Sequence, residues 1–241
     1  MSESLFYLLE DVLFVMVLLV ESGSGYFARK RSGSLSIKWR SWPVFLFLAG
    51  IFGILYFDLK FLNVLRSLDL PAIKVIVMFG QHIAKWLWFY ILFVYFAGCF
   101  LRSIKLRKIA FGAVLSSALA LIAAETLKYV FLRARPYENL GPHSFFNIDG
   151  LTKDAHVFQS LPSGHVAVVA GALGYLFYRF DQWRFRWLIL LIPLPTILYR
   201  LYSNSHWPSD TFISMALGLT VGYLTAQHEK MLLMPVLGVK K

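Results

Sequence analysis

One cysteine, Cys99, stands in a chain of 241 residues. A lone thiol excludes an intramolecular disulfide and a cysteine-based zinc cluster. Cys99 sits inside an apolar run, so it is expected to be a packing residue. Charge is scarce as well. Asp, Glu, Lys and Arg make up 15% of the chain, where a soluble domain averages about 25%. Acidic residues are the scarcer sign, 13 against 24 Lys and Arg, which leaves a formal net charge of +11. Internal repeats and low-complexity tracts are missing. These shortages exclude a disulfide scaffold, a disordered chain and a charged coiled coil, and they argue against an ordinary cytosolic domain.

What fills the chain is apolar: 58% of residues are hydrophobic and 17% aromatic, with a mean hydropathy of +0.63. A helix that crosses a bilayer needs about 20 mostly apolar residues. Six segments approach that length, at residues 43–61, 85–101, 109–132, 162–180, 184–202 and 207–227. The expected fold is therefore all-α, a polytopic bundle of six transmembrane helices with interfacial helices at the N-terminus and in a loop. Tryptophans at 39, 42, 86, 88, 183, 187 and 207 fall at or near the ends of these segments, as interfacial anchors do. The stretch 5–20 holds Glu10 and Asp11 and lacks the flanks of a signal peptide, so it is read as a helix lying in the interface, with a seventh span as the alternative. Residues 71–80 are too few to cross and are read as lying along the surface. The organisation expected is an interfacial helix and basic linker at 1–41, a six-helix domain at 42–228 and a cytoplasmic tail at 229–241.

Loop charge gives the orientation. Arg29, Lys30, Arg31, Lys38 and Arg40 precede the first segment, Arg102, Lys105, Arg107 and Lys108 follow the second, Arg179, Arg184 and Arg186 follow the fourth, and Lys230, Lys240 and Lys241 follow the sixth. All fall on one side, which the positive-inside rule makes cytoplasmic. The excess positive charge is thus expected to face anionic lipid headgroups, and nucleic acid is not an expected partner.

Polar residues collect at the opposite ends. The third segment closes with Lys128 and Arg135, the fourth opens with Pro162, Ser163, Gly164 and His165, the fifth ends near Arg200, and the sixth opens with His206 and Asp210. Ionisable groups at membrane depth are costly and mark function. Lys128 and Arg135 are two helical turns apart and share a face, and with Arg200 they suit a doubly charged anion. Ser163 and Gly164 stand where a helix N-terminus offers free N–H groups to an anion. His206 and Asp210 are one turn apart, so the carboxylate is placed to fix the imidazole tautomer and leave the other nitrogen as nucleophile. His165 is suited to protonating a leaving oxygen. Arg133, by contrast, is expected to snorkel to headgroups. Glu125 either pairs with Lys128 or bonds a neighbouring helix. His143 and His156 read as solvated loop residues, and Phe145, Phe146, Val157 and Phe158 as aids to seating that loop on the membrane.

In this order and spacing the residues resemble the motifs of the type-2 phosphatidic acid phosphatase superfamily, K-x6-R-P, P-S-G-H and S-R-x5-H-x3-D. Lys128 to Arg135-Pro136 and Pro162 to His165 are complete. Arg200, His206 and Asp210 supply the third motif, with Tyr199 in place of its serine. The motifs cover 128–210, and the first 40 residues lie outside the resemblance. The resemblance implies metal-independent, cofactor-free hydrolysis of a lipid phosphomonoester or diphosphate through a phosphohistidine. By it His206 attacks phosphorus, Asp210 orients His206, His165 protonates the leaving group, and Lys128, Arg135, Ser163, Gly164 and Arg200 hold the phosphoryl oxygens. Polyprenyl diphosphate, phosphatidylglycerol phosphate, phosphatidic acid and lipid A are the substrates considered. The expected setting is a bacterial inner membrane with the site facing the periplasm. Phosphotransfer to a second lipid and a non-catalytic scaffold or transporter are the alternatives.

Overall fold

A computed structural model describes residues 42–68, 71–147, 156–180 and 182–229. The chain divides into two units, Met1–Phe45 and Leu46–Lys241, and the fold discussed below is that of the second. The expected interfacial helix at 5–20, the linker that follows it and the tail from 230 onward lie outside the described residues.

The described residues are helical, with no strand among them. Seven α-helices follow in order: α1 (Trp42–Phe52), α2 (Asp58–Ser67), α3 (Pro71–Phe100), α4 (Ile104–Phe131), α5 (Gly164–Arg179), α6 (Pro193–Tyr202) and α7 (Pro208–Gln227). A π-helical turn, Gly53–Phe57, joins α1 to α2, and a 3-10 segment, Arg186–Leu191, leads into α6.

Local sequence sets most of these boundaries. Ser103 caps α4, its hydroxyl accepting from the Leu106 N–H at 3.4 Å. Pro193 and Pro208 occupy first helical positions, where a missing N–H costs nothing. Leu132 stops α4 by taking a left-handed conformation at φ 42°.

The centre is α4, α5 and α7, with α3 packed on α4 and α6. Small residues let the central helices close on one another. A Cβ at Gly218 of α7 would stand 2.5 Å from the Ala170 Cβ and 2.7 Å from the Gly171 nitrogen of α5. Ser116 and Ser117 of α4 donate to the Gly171 and Val168 carbonyls at 2.7 and 3.2 Å. Large apolar groups lie outside instead. Phe89, Phe93, Phe96 and Phe100 form an exposed stripe along α3, with Phe100 88% exposed. Cys99 is exposed on the same helix, so it is not the packing residue expected.

The all-helical class holds, but six spanning helices are not confirmed. Among the described residues one run, Ile104–Glu138, is long and apolar enough to cross a membrane, at 35 residues and mean hydropathy 1.8. The pair Ile73–Ile83 and Lys85–Phe100 passes as a single span bent by 53°. The segment read as a span at 184–202 is not one uniform α-helix: a 3-10 run over Arg186–Leu191 passes through Ile192, in the right-handed helical region, into the ten residues of α6. Trp207 is buried, with its indole N–H on the Ala134 carbonyl at 2.9 Å, and is not an interfacial anchor.

Candidate active site

The C-terminal ends of α4 and α6 meet the N-terminal ends of α5 and α7. This juxtaposition brings the motif residues into one cluster. His165 lies within electrostatic reach of Arg200, His206 and Lys128, and Arg200 within reach of Arg135.

Two strands of loop lace the cluster together. After Leu132 the chain turns back, and Asn147 Nδ2 holds the Leu132 carbonyl at 3.0 Å. Ala134 N–H donates to Ser144 O at 2.9 Å, Arg135 N–H to Val157 O at 2.9 Å, and Ser160 N–H to Arg133 O at 3.0 Å. The turn between α6 and α7 is pinned by Ser205 N–H on the Arg200 carbonyl at 3.1 Å and by Arg66 Nε of α2 on the Asn204 carboxamide at 3.0 Å.

His206 follows that turn and is 1% exposed. Its Nδ1 stands 2.6 Å from the Ser160 carbonyl. A carbonyl only accepts, so Nδ1 carries the proton and Nε2 carries the lone pair. Burial pushes His206 down to about 4, reinforced by Arg200 and Arg135 and opposed by Asp210. The ring is therefore neutral at pH 7.

Asp210 does not make the bond the spacing suggests. Its Oδ2 lies 3.8 Å from His206 Nδ1, outside hydrogen-bond reach. That oxygen instead accepts from Ser160 Oγ at 2.5 Å and from the Trp207 N–H at 2.8 Å, the latter closing the first turn of α7. The residue that fixes the imidazole is thus Ser160, through its main chain, and Asp210 fixes Ser160.

The other carboxylate oxygen of Asp210 receives Arg133 Nη1. Arg133 does not snorkel. It is fully buried, with Nη2 on Asp58 Oδ2 at 2.6 Å, Nη1 on Ser209 Oγ at 2.7 Å, and Nε on the Pro142 carbonyl at 3.0 Å. The Phe145 and Trp207 rings cover its guanidinium at 4.9 and 5.5 Å. Phe145 is thereby turned to packing on the arginine, while Phe146 is exposed.

The anion side of the cluster is different. Arg135 Nε, Arg200 Nε and Ser163 Oγ are buried and make no hydrogen bond within the protein. Buried donors of this kind are costly to leave unpaired, and here three of them belong to the residues read as phosphate ligands. Ser163 precedes α5 without capping it through its hydroxyl. Its main-chain N–H donates to Ser214 Oγ at 2.6 Å. Lys128 projects from the last turn of α4 and pairs with Glu125 at 2.6 Å, which decides between the two readings of Glu125. A Cβ at Gly164 would stand 2.7 Å from Glu125 Oε1 and 3.5 Å from Lys128 Nζ, so glycine lets the α5 terminus approach them closely. Among the described residues no group of three or more His, Cys, Asp or Glu is arranged to hold a metal.

Asp58, Ser160 and Ser209 carried no motif. Asp58 did carry a signal, a lone carboxylate within an apolar stretch read as a span. Ser160 acts at His206 through its carbonyl, which leaves no trace in sequence. His143 and His156 are exposed loop residues, as read.

The helical architecture thus gathers a cluster of cations around a neutral, buried histidine. Residues 109–232 match the PAP2 superfamily, and the chain belongs to that superfamily. It is 29% identical over 126 residues to an undecaprenyl-diphosphatase of Sulfolobus acidocaldarius, a match covering 52% of this chain and 57% of that protein. The chain thus spans little more than half the length of that relative. Among solved structures it is similar to Aquifex aeolicus LpxE, at 18% identity and a TM-score of 0.48, over 70% of this chain and 94% of that one.

Proposed function

We propose that this protein is a membrane-embedded lipid phosphatase that hydrolyses a lipid phosphomonoester or diphosphate through a phosphohistidine on His206. The observation that carries the reading is the state of His206. Its proton is committed to the Ser160 carbonyl, its ring is neutral, and Nε2 keeps a free lone pair.

The chemistry assigns each group a task. His206 Nε2 attacks phosphorus and forms the N–P bond as the P–O bond to the leaving group breaks. His165 gives that oxygen its proton. The phosphorylated ring keeps its Nδ1 proton and gains positive charge, which the Asp210 carboxylate 3.8 Å away offsets. Water then attacks phosphorus, His165 takes a proton from it, and the N–P bond breaks to release phosphate and neutral His206. Lys128, Arg135, Arg200 and Ser163, with the Gly164 N–H, hold the equatorial oxygens, and the unpaired donors of Arg135, Arg200 and Ser163 support that role. The reading includes independence from metal and cofactor.

The exposed aromatic stripe of α3 and the Ile104–Glu138 run support a bilayer setting. The motif ends of the helices are opposite the ends bearing Lys105, Arg107, Lys108 and Arg179, which favours an extracytoplasmic site. The similarity to an undecaprenyl-diphosphatase supports a polyprenyl diphosphate as substrate.

The test is phosphate release by the purified, detergent-solubilised protein from a panel of polyprenyl diphosphates, phosphatidic acid, phosphatidylglycerol phosphate and lipid A, with EDTA present. Release from one or a few is the expected result. A folded protein that releases phosphate from none of them, with or without divalent metal, sinks the reading.

A further inference from the structure

The π-helical turn Gly53–Phe57 delivers Asp58, whose N–H donates to the Gly53 carbonyl five residues back. Such turns inside helices recur at functional sites. Gly53 lies on Ser209, where a Cβ would stand 3.2 Å from the Ser209 Cβ. The turn therefore sets the Asp58 carboxylate into the start of α7. Asp58 Oδ1 accepts from the Ser209 N–H at 2.8 Å, and Oδ2 from Arg133 Nη2 at 2.6 Å and from Ser209 Oγ. Asp58, Arg133, Ser209, Asp210 and Ser160 are all buried.

The charges of this network are two carboxylates on one guanidinium. Arg133 paired with Asp210 alone would cancel the Asp210 charge beside His206. Asp58 on the other guanidinium nitrogen returns the network to one net negative charge. At the burial seen here charges are weakly screened, so this difference is felt at the imidazole. The same contacts hold Ser209 and Asp210 at the first turn of α7, and through Asp210 and Ser160 the Nδ1 bond of His206.

We infer that Asp58 is a positioning residue of the active site, which offsets Arg133 so that Asp210 keeps the negative charge that stabilises phosphorylated His206. This rests on His206 as the nucleophile. No signal in the three motifs points to Asp58, which lies 70 residues before Lys128.

The experiment measures kcat and KM for farnesyl diphosphate and dioctanoyl phosphatidic acid in detergent micelles. It compares wild type, Asp58→Asn, Asp58→Asn with Arg133→Gln, and His206→Ala as the floor. Folding is checked by gel filtration and orthovanadate binding. Asp58→Asn is expected to lower kcat by about tenfold or more with KM changed by less than about threefold. The double variant removes the cation as well, leaves Asp210 with its charge, and is expected to regain at least about fivefold over Asp58→Asn. A purely structural role predicts no such recovery. Wild-type kcat in Asp58→Asn, or a double variant no better than the single, overturns the inference. Should Asp58→Asn not accumulate folded, the double variant carries the test against the floor: turnover above it supports the inference, and a folded protein at the floor overturns it. If wild type turns over neither lipid, or His206→Ala keeps turnover, it is the underlying reading that has failed.

Discussion

His206 Nδ1 bonds to the main-chain carbonyl of Ser160 at 2.6 Å, while Asp210, four residues on, stands 3.8 Å from the same nitrogen. The nucleophile is oriented by a peptide group, and the carboxylate acts on it through field and through Ser160. This separation of roles leads to distinct outcomes for distinct substitutions.

His206→Ala removes the attacking nitrogen and leaves the unpaired donors of Arg135, Arg200 and Ser163 in place. Turnover is expected to fall by more than about a thousandfold, with vanadate or phosphate binding retained in equilibrium measurements. A variant that still hydrolyses lipid phosphate at the normal rate would falsify the nucleophile assignment.

Arg133 sits buried between Asp58 and Asp210. Arg133→Ala leaves two buried carboxylates without their cation and is expected to destabilise the fold by about 3–5 kcal/mol. Thermal unfolding in detergent reads this directly. An arginine that merely reached headgroups would shift the midpoint hardly at all, so an unchanged midpoint speaks against the buried network.

Acid should act on stability through His206. Its folded value of about 4 lies below the ordinary 6.5, so the unfolded chain binds the proton more readily than the native one. The contribution is full above about pH 6.5 and is lost progressively as pH falls toward 4. The unfolding midpoint of the wild type should drop across that window, and His206→Gln should flatten the drop. Equal slopes in the two proteins would contradict the burial of a neutral ring.

Gly218 is pressed against Ala170 and the Gly171 backbone. Gly218→Val forces α5 and α7 apart and is expected to cost about 1–3 kcal/mol or more. Because α5 and α7 carry His165 and Asp210 at their first turns, activity should fall along with stability. Substituting valine at Leu188, which is exposed, serves as the control and should leave the midpoint within about 0.5 kcal/mol.

Much of the site was legible before any coordinates. Lys128, Arg135, Ser163, Gly164, His165, Arg200, His206 and Asp210 stand in the spacings of the three motifs, but the expected common helix faces are not formed, because α4 ends at Phe131 before Arg135 and α7 begins at Pro208 after His206. Proline and serine at helix starts told where α5 and α7 begin. Hydropathy told that the chain is helical and apolar, since runs of this kind without alternation fit buried or lipid-facing helices.

Other features were decided only by the tertiary fold. Residues 184–202 do not form one uniform α-helix, since the segment runs as a 3-10 helix over Arg186–Leu191 and as α6 from Pro193. Arg133 turns inward because Leu132 adopts a left-handed conformation and two distant carboxylates await it. Asp58 joins the site from far upstream in sequence, and Ser160 contributes a carbonyl that every residue possesses. Sequence by itself determined which chemical groups the protein has and roughly where its helices run, because these follow from side-chain identity and hydrophobic pattern. Only the three-dimensional structure decided which buried charge offsets which and which atom holds the nucleophile, because those depend on distances between segments that sequence spacing does not encode.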